Sequence, residues 1–325
     1  MADMPPHFAI AYTPTYHSTI PANIDPSTVK LPSPFIAVVT GAGKGLGYHI
    51  SLAFAKAGAS GICISSRTQA DLDTLIAEIN NINKNVEVLS VICDTQSPES
   101  VLSLEKAVRD KWARCDVLVA NAGVISSYIS RKTHGDKNQH STSNLPIGLL
   151  EDEDWSRVLN INLLGTWRVT KALLPLLIET TDGPQTVIVN TSLAAHSTDS
   201  SFTPIAYNVS KIAVNRLVEH VDKDHRGKDG VHAYALHPGA VLTPQTQNHE
   251  GEVWGNVEGI RKEGKEGGIL MDDEGLAGAW CVWLGREKRG WLSGRYVSVN
   301  WDVEELEGKR GEIEERDALK FRMVV

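Results

Sequence analysis

The chain is poor in cysteine: four among 325 residues (Cys63, Cys93, Cys115, Cys281), with no Cys-x-x-Cys pair. So sparse a set excludes a disulfide framework and a cysteine-built metal site, and it reads as reduced core thiols, with no metal expected. Positive charge is short too. Lys and Arg number 32 against 40 Asp and Glu, a net charge of −8 with a pI near 5.8, which disfavours a nucleic-acid partner. The start, Met1-Ala2-Asp3-Met4-Pro5-Pro6, lacks a basic stretch ahead of an apolar run, so no secretory signal is read. No apolar run approaches the ~18 residues that span a bilayer. Repeats of ~20–50 residues are absent as well. Together these absences leave a soluble cytoplasmic protein as the expectation.

What is present is alternation. Residues 1–33 carry Pro5, Pro6, Pro14, Pro21, Pro26 and Pro32 and little periodicity, and read as an extended arm or disordered leader. Phe8, Tyr12, Tyr16 and His17 in that arm suggest that it packs on something, such as a partner subunit. From Phe35, strands are expected at 35–40, 61–65, 86–92, 116–120, 186–191, 231–236 and 295–299. Helical patterns fill the gaps at 45–57, 69–82, 98–112, 153–179, 206–225 and 274–288. Strands separated by helices imply a doubly wound, seven-stranded parallel α/β sheet with helices on both faces, one Rossmann-like domain over 34–302. Two polar stretches, 124–150 and 240–272, follow strands and so belong at the carboxyl edge of the sheet, where such folds bind ligands. The first reads equally as a solvated loop. The second holds Trp254, and a tryptophan in a polar loop usually covers something apolar, so it reads as a substrate lid. The tail 303–325, with Glu304, Glu305, Glu307, Lys309, Arg310 and Glu312, reads as a solvated helix.

After the first strand comes Thr40-Gly41-Ala42-Gly43-Lys44-Gly45-Leu46-Gly47. Glycines at Gly41, Gly45 and Gly47 open a tight turn into a helix, whose free N–H groups and positive dipole end suit a pyrophosphate. The spacing is Gly-x-x-x-Gly-x-Gly and does not fit Gly-x-Gly-x-x-Gly. A second feature is Tyr207-Asn208-Val209-Ser210-Lys211. Residues i and i+4 share a helix face, and a cation beside a phenol favours phenolate, lowering its pKa from roughly 10. Tyr207 is then a plausible general acid/base, although a Tyr-x-x-x-Lys alone is far more often structural. Val187-Ile188-Val189-Asn190-Thr191-Ser192 ends a strand in hydroxyls, and Asn121-Ala122-Gly123 ends another. Asn162 sits within a helical pattern, a poor place for asparagine by propensity.

Taken in order, these motifs resemble the short-chain dehydrogenase/reductase family over residues 34–301. His237-Pro238-Gly239-Ala240-Val241-Leu242-Thr243 is similar to that family's proline-glycine segment beside the nicotinamide. The leader and Asn300-Trp301-Asp302 resemble fungal members, many of which serve secondary metabolism. The resemblance implies that Tyr207 exchanges a proton with the substrate oxygen, while Lys211 lowers the phenol pKa and holds the nicotinamide ribose. Ser192 would orient the carbonyl, and Asn162 would hold a water joining Lys211 to solvent. Gly41, Lys44, Gly45, Leu46, Gly47, Arg67, Asp94, Thr95, Asn121, Ala122, Gly123, Tyr207, Lys211, Pro238, Gly239, Val241 and Thr243 are implied in cofactor binding, with Asp94 near adenine.

One departure from the family's pattern concerns the serine, usually thirteen residues before the tyrosine, where Ala194 stands here. A two-residue lengthening of the loop 195–204 keeps Ser192 in role, with Thr191 the runner-up. Cofactor choice follows from charge. The second strand ends Ser65-Ser66-Arg67-Thr68 with no carboxylate before Asp71, so Arg67 and Lys44 are expected to grip the 2′-phosphate of NADP(H). Two charge-assisted hydrogen bonds at roughly 1.5–3 kcal/mol each favour NADP over NAD at least tenfold. The expected reaction is reduction of a moderately apolar ketone by NADPH, with Leu193, Phe202 and Trp254 on the pocket wall. The alternative is redox-neutral chemistry (dehydration, epimerisation or cyclisation) on the same scaffold. Apolar faces on 153–179 and 206–225, together with the resemblance, imply a homodimer or homotetramer.

Overall fold

The computed structural model of the protein describes residues 5–126, 154–198, 203–247 and 272–323. Short β-branched runs make β1 (Ile36–Thr40), β2 (Gly61–Ser66), β3 (Glu87–Ile92), β4 (Val117–Ala120), β5 (Thr186–Asn190), β6 (His232–His237) and β7 (Arg295–Ser298). All seven expected strands form, each within about one residue of its expected ends. They pair in parallel in the order β3-β2-β1-β4-β5-β6-β7. Chain direction across the sheet reverses between β1 and β4, the switch point that opens a ligand crevice at the carboxyl ends.

Between the strands lie α1 (Gly45–Lys56), α2 (Gln69–Ile82), α3 (Pro98–Trp112), α4 (Trp155–Leu159), α5 (Thr166–Glu179), α6 (Ile205–Asp229), α7 (Pro244–Gln247) and α8 (Leu276–Gly285). Successive strand residues point to opposite faces, so the sheet separates two cores. Ala37 and Val39 join Ile50, Phe54, Leu72, Leu75 and Trp280 from α1, α2 and α8. Val38 joins Leu104, Val108, Leu173, Val214 and Val218 from α3, α5 and α6. Both faces of the strands are therefore apolar, as a buried parallel sheet requires. All four cysteines are buried and unpaired, as expected.

The expected helix 153–179 is interrupted. A wide π-helical turn, Asn160–Gly165, separates α4 from α5, an irregularity often found at functional sites. By length and composition alone, Trp155–Glu179 could cross a membrane, contrary to the reading that no segment could. Val169, Leu173, Leu176 and Leu177 nevertheless line one face of it and are buried against the sheet, which is the pattern of a core helix.

Both chain ends differ from expectation. The tail is not a solvated helix: α9 (Val303–Gly308) and α10 (Arg310–Glu315) bury Val303, Leu306 and Ile313. Those three apolar side chains sit among charges and have a helical spacing that composition hides. The leader lies on its own chain. Trp301 Nε1 donates to the Ala9 carbonyl at 2.9 Å, the Tyr12 and Trp301 rings are 5.1 Å apart, and His17 meets Asp302 at 2.9 Å. Leader and tail thus pack together beside β7.

Candidate active site

The glycine turn follows β1 directly. Gly41 has φ +65°, and a Cβ there would come within 2.8 Å of the Ala122 Cα, so a larger residue would force β1 and β4 apart. At Gly47 a Cβ would collide with the Gly41 carbonyl and the Asn121 amide, so the start of α1 packs tightly on the turn. Lys44 precedes α1 without capping it through its side chain, which leaves the first N–H groups of the helix open to an anion. The cleft over this turn has a volume of ≈ 600 Å³. It runs from Arg67, Thr68 and Asp71 at one end, past Asp94 and Thr95, to Tyr207 and Lys211 at the other. Lys44 Nζ lies 3.3 Å from an Asp71 oxygen. The bare helix start, the glycine cradle and the exposed Arg67 fit an extended dianionic ligand of dinucleotide size.

At the far end the expected constellation converges. Lys211 is buried, with its Nζ donating to the Asn190 carbonyl at 2.8 Å and lying 5.4 Å from the centre of the Tyr207 ring. The Ser192 hydroxyl lies close enough to the Tyr207 phenol to pull its pKa down. The Thr191 hydroxyl, by contrast, donates to the Lys211 carbonyl at 3.2 Å and so faces the backbone of α6. Thr191 lines the cleft but spends its hydroxyl on that carbonyl, whereas Ser192 stands beside the phenol and outside the cleft lining. Burial pushes the Tyr207 phenol above its ordinary value of 10.0, with Ser192 pulling the other way. The direction is opposite to the one expected from a neighbouring Lys211, because burial is the largest influence on the phenol. Burial also lowers Lys211, from 10.5 to about 8.

Asparagines tie the strand ends together. Asn190 Nδ2 donates to Asn121 Oδ1 at 2.6 Å, and Asn121 Nδ2 donates to the carbonyls of Thr40 (2.9 Å) and Gly41 (3.1 Å). The Asn121 amide thus braces β1 against β4. Asn162, carried inward on the wide turn, accepts from the Val124 N–H at 2.8 Å and donates to the Val124 carbonyl at 2.9 Å and the Ser210 hydroxyl at 3.0 Å. Both its amide hydrogens are engaged, and only its Oδ1, beside Gly123 and Lys211, keeps a free lone pair.

Gly41, Lys44, Gly45, Leu46, Arg67, Asp94, Thr95, Asn121, Ala122, Gly123, Tyr207, Lys211, Pro238 and Thr243 all line the cleft. Gly47, Asn162, Ser192, Leu193, Gly239 and Val241 do not. Gly47 and Gly239 shape the backbone, the latter at φ +85° against Asp272. Val241 borders a neighbouring cavity of ≈ 340 Å³ with Tyr48 and His49. Phe202, Trp254 and most of both expected substrate-side loops lie outside the described residues. Sequence reasoning missed Arg157, Ile161 and Gln245, which line the cleft. Oriented to satisfy both partners, the Gln245 amide donates to the Gly123 carbonyl at 3.1 Å and accepts from the Ile125 N–H at 3.2 Å. A glutamine in a polar stretch gives no signal of such a bridge.

A parallel sheet with a glycine cradle at its switch point and a Ser–Tyr–Lys group at its carboxyl edge defines a nucleotide-binding fold equipped for proton transfer beside the nucleotide. A family model described as short chain dehydrogenase matches residues 35–253, and the chain belongs to that family of oxidoreductases, which work with a nicotinamide cofactor. It is 33% identical over 330 aligned residues to the short chain dehydrogenase pgmD of Aspergillus terreus, covering 100% of this chain and 98% of the relative. It is 31% identical to the short chain dehydrogenase pigC of Monascus ruber, covering 96% and 93%. Among solved structures, the fold is similar to an actinorhodin polyketide ketoreductase with NADPH (TM-score 0.67, 22% identity, 82% of this chain and 95% of that one). L-sorbose reductase from Gluconobacter frateurii with NADPH and L-sorbose is similar too (TM-score 0.66, 23% identity, 85% and 97%).

Proposed function

We propose that the protein is an NADPH-dependent ketoreductase acting on a moderately apolar small molecule, with Tyr207 as general acid. The observation that carries this reading is the pairing of Tyr207 with Lys211 at the end of the glycine-cradled cleft, with Ser192 beside the phenol just behind the cleft wall. Arg67, Lys44 and the start of α1 would hold the nucleotide, whose reduced ring supplies a hydride to the carbonyl carbon. Ser192 donates to the carbonyl oxygen and orients it. Tyr207, protonated at neutral pH as any tyrosine is and more firmly so when buried, gives that oxygen its proton. Lys211, charged below about pH 8, steadies the phenolate left behind. The fungal relatives support a secondary metabolite as substrate. The intact Ser–Tyr–Lys group leaves the redox-neutral alternative without an observation of its own.

The test is ketone-dependent loss of reduced-nicotinamide absorbance, run with NADPH and with NADH. Wild type is expected to prefer NADPH at least tenfold, and Arg67→Ala to erase most of that preference, since a charge-assisted hydrogen bond contributes roughly 1.5–3 kcal/mol. Equal use of both nucleotides by the wild type would sink the NADPH assignment. No turnover with any ketone would sink the reductase reading itself.

We also infer that the chain self-associates through the exposed apolar side chains Leu164 on the wide turn, Trp167 on α5, and Val209 and Ile212 on α6. Exposed clusters of this kind mark protein contacts. Light scattering is expected to report a dimer or tetramer, and a monomer at micromolar concentration counts against the inference.

A further inference from the structure

Ser192 is held from behind by a residue outside the cleft. We propose that His237 is a positioning residue for the substrate oxygen, its imidazole accepting the Leu193 N–H and so aiming the Ser192 hydroxyl at Tyr207. The inference rests on the reductase reading, because it gives Ser192 the task of orienting a carbonyl.

The backbone shows why an imidazole is needed there. β5 and β6 pair in register as far as Asn190 and Leu236, and the Thr191 N–H still reaches the Leu236 carbonyl at 2.8 Å. The chain then bends into the 3-10 turn Leu193–His196, and the next inward N–H, that of Leu193, has passed the end of β6. His237 fills the missing rung with a side chain, its Nδ1 accepting at 3.2 Å. The N–H groups on both sides of Ser192 are therefore anchored to the end of β6. Between them Ser192 is extended (φ −161°, ψ 155°), and its Oγ accepts from the Ala194 N–H at 3.1 Å. The hydroxyl direction follows from the turn, and the turn is pinned by His237.

The acceptor role requires an unprotonated Nδ1. Burial keeps the ring neutral, lowering the His237 pKa to about 3 with His196 adding to the effect, and the Leu193 N–H bond to Nδ1 selects the tautomer with its proton on Nε2. The Val299 N–H holds the His237 carbonyl at 3.1 Å, and the Tyr296 ring stacks near-parallel on the imidazole (6.5 Å between centres, 12°). At the other end of the turn, His196 meets Tyr296 edge-on at 4.7 Å. Phe8 from the leader (5.9 Å) and Phe321 from the tail (4.9 Å) flank His196. Both chain ends therefore close on the turn that carries Ser192.

Three proteins test this: wild type, His237→Leu, which lacks the acceptor, and His237→Asn, whose Oδ1 can stand where Nδ1 stood. His237→Leu is expected to lower kcat about tenfold, a modest share of what an ångström of misplacement can take from a reaction. Ketone KM and the dissociation constant of NADPH, read by fluorescence, should stay within about twofold. His237→Asn should recover most of kcat, whereas a merely structural role would weaken both variants alike. Amide hydrogen exchange at Leu193 should quicken in His237→Leu and stay slow in His237→Asn. Should the leucine variant fail to fold, His237→Ala takes its place. Wild-type kcat and slow Leu193 exchange in the acceptor-less variant would overturn the inference. If no ketone is turned over by wild type, the reductase reading fails by itself and the exchange experiment still decides this one.

Discussion

Replacing Tyr207 by phenylalanine is expected to lower kcat for ketone reduction by about 10³-fold, within the 10²–10⁴ range of positioned general acids. The ring remains, and with it the packing beside Lys211 at 5.4 Å. Only the hydroxyl is removed, and with it the influence of the Ser192 hydroxyl on the phenol. Nucleotide binding should hold, because the glycine cradle and Arg67 lie at the other end of the cleft. A fluorescence titration giving an NADPH dissociation constant within about twofold of wild type, beside the lost turnover, separates chemistry from binding. A rate within about tenfold of wild type would remove Tyr207 as the acid, since less than that could come from altered packing alone.

Much of this arrangement is legible in the chain because it is local. Buried strands such as Ile36–Thr40 announce themselves by unbroken apolar runs, and glycines mark the turn after them. Tyr207 and Lys211 are four apart on one helix, so their proximity follows from helix geometry alone. Ser192 needed a further step, because the loop after it departs in length from the pattern that would have marked it. What stayed hidden depends on register between distant segments. His237 meets Leu193 only because β5 bends where β6 ends, and Gln245 meets Gly123 only across the cleft. Charges around Val303, Leu306 and Ile313 concealed their burial. The pKa of Tyr207 was misjudged for a similar reason: spacing reveals the neighbouring cation but not how far the fold removes both groups from water.

That removal from water makes Lys211 a residue held against its own stability. Its pKa falls from 10.5 to about 8 on folding, so below pH 8 the folded state carries a charge that the unfolded state solvates better. The destabilisation is full below about pH 8 and relieved as pH rises toward 10.5, because there the folded state binds fewer protons than the unfolded one. At about 1.4 kcal/mol per unit the penalty is at most about 3.5 kcal/mol, offset in part by the hydrogen bond to the Asn190 carbonyl. Lys211→Met is therefore expected to raise the melting temperature at pH 7 by at least about 2 °C, since ~1 kcal/mol moves a domain of this size by roughly that much. The same variant should lose reductase turnover by about 10²–10³-fold, as phenolate formation at Tyr207 would go unsupported. In wild type the matching signature is an alkaline limb: turnover level below pH 8 and falling above it, as Lys211 loses its proton. Melting curves and pH–rate profiles on the two proteins read both effects. A destabilised methionine variant would show that the buried cation is compensated in the fold, and an unchanged rate would show that Tyr207 works without it. A gain in stability with a loss of rate is the exchange expected where a fold keeps an unfavourable charge for its chemistry.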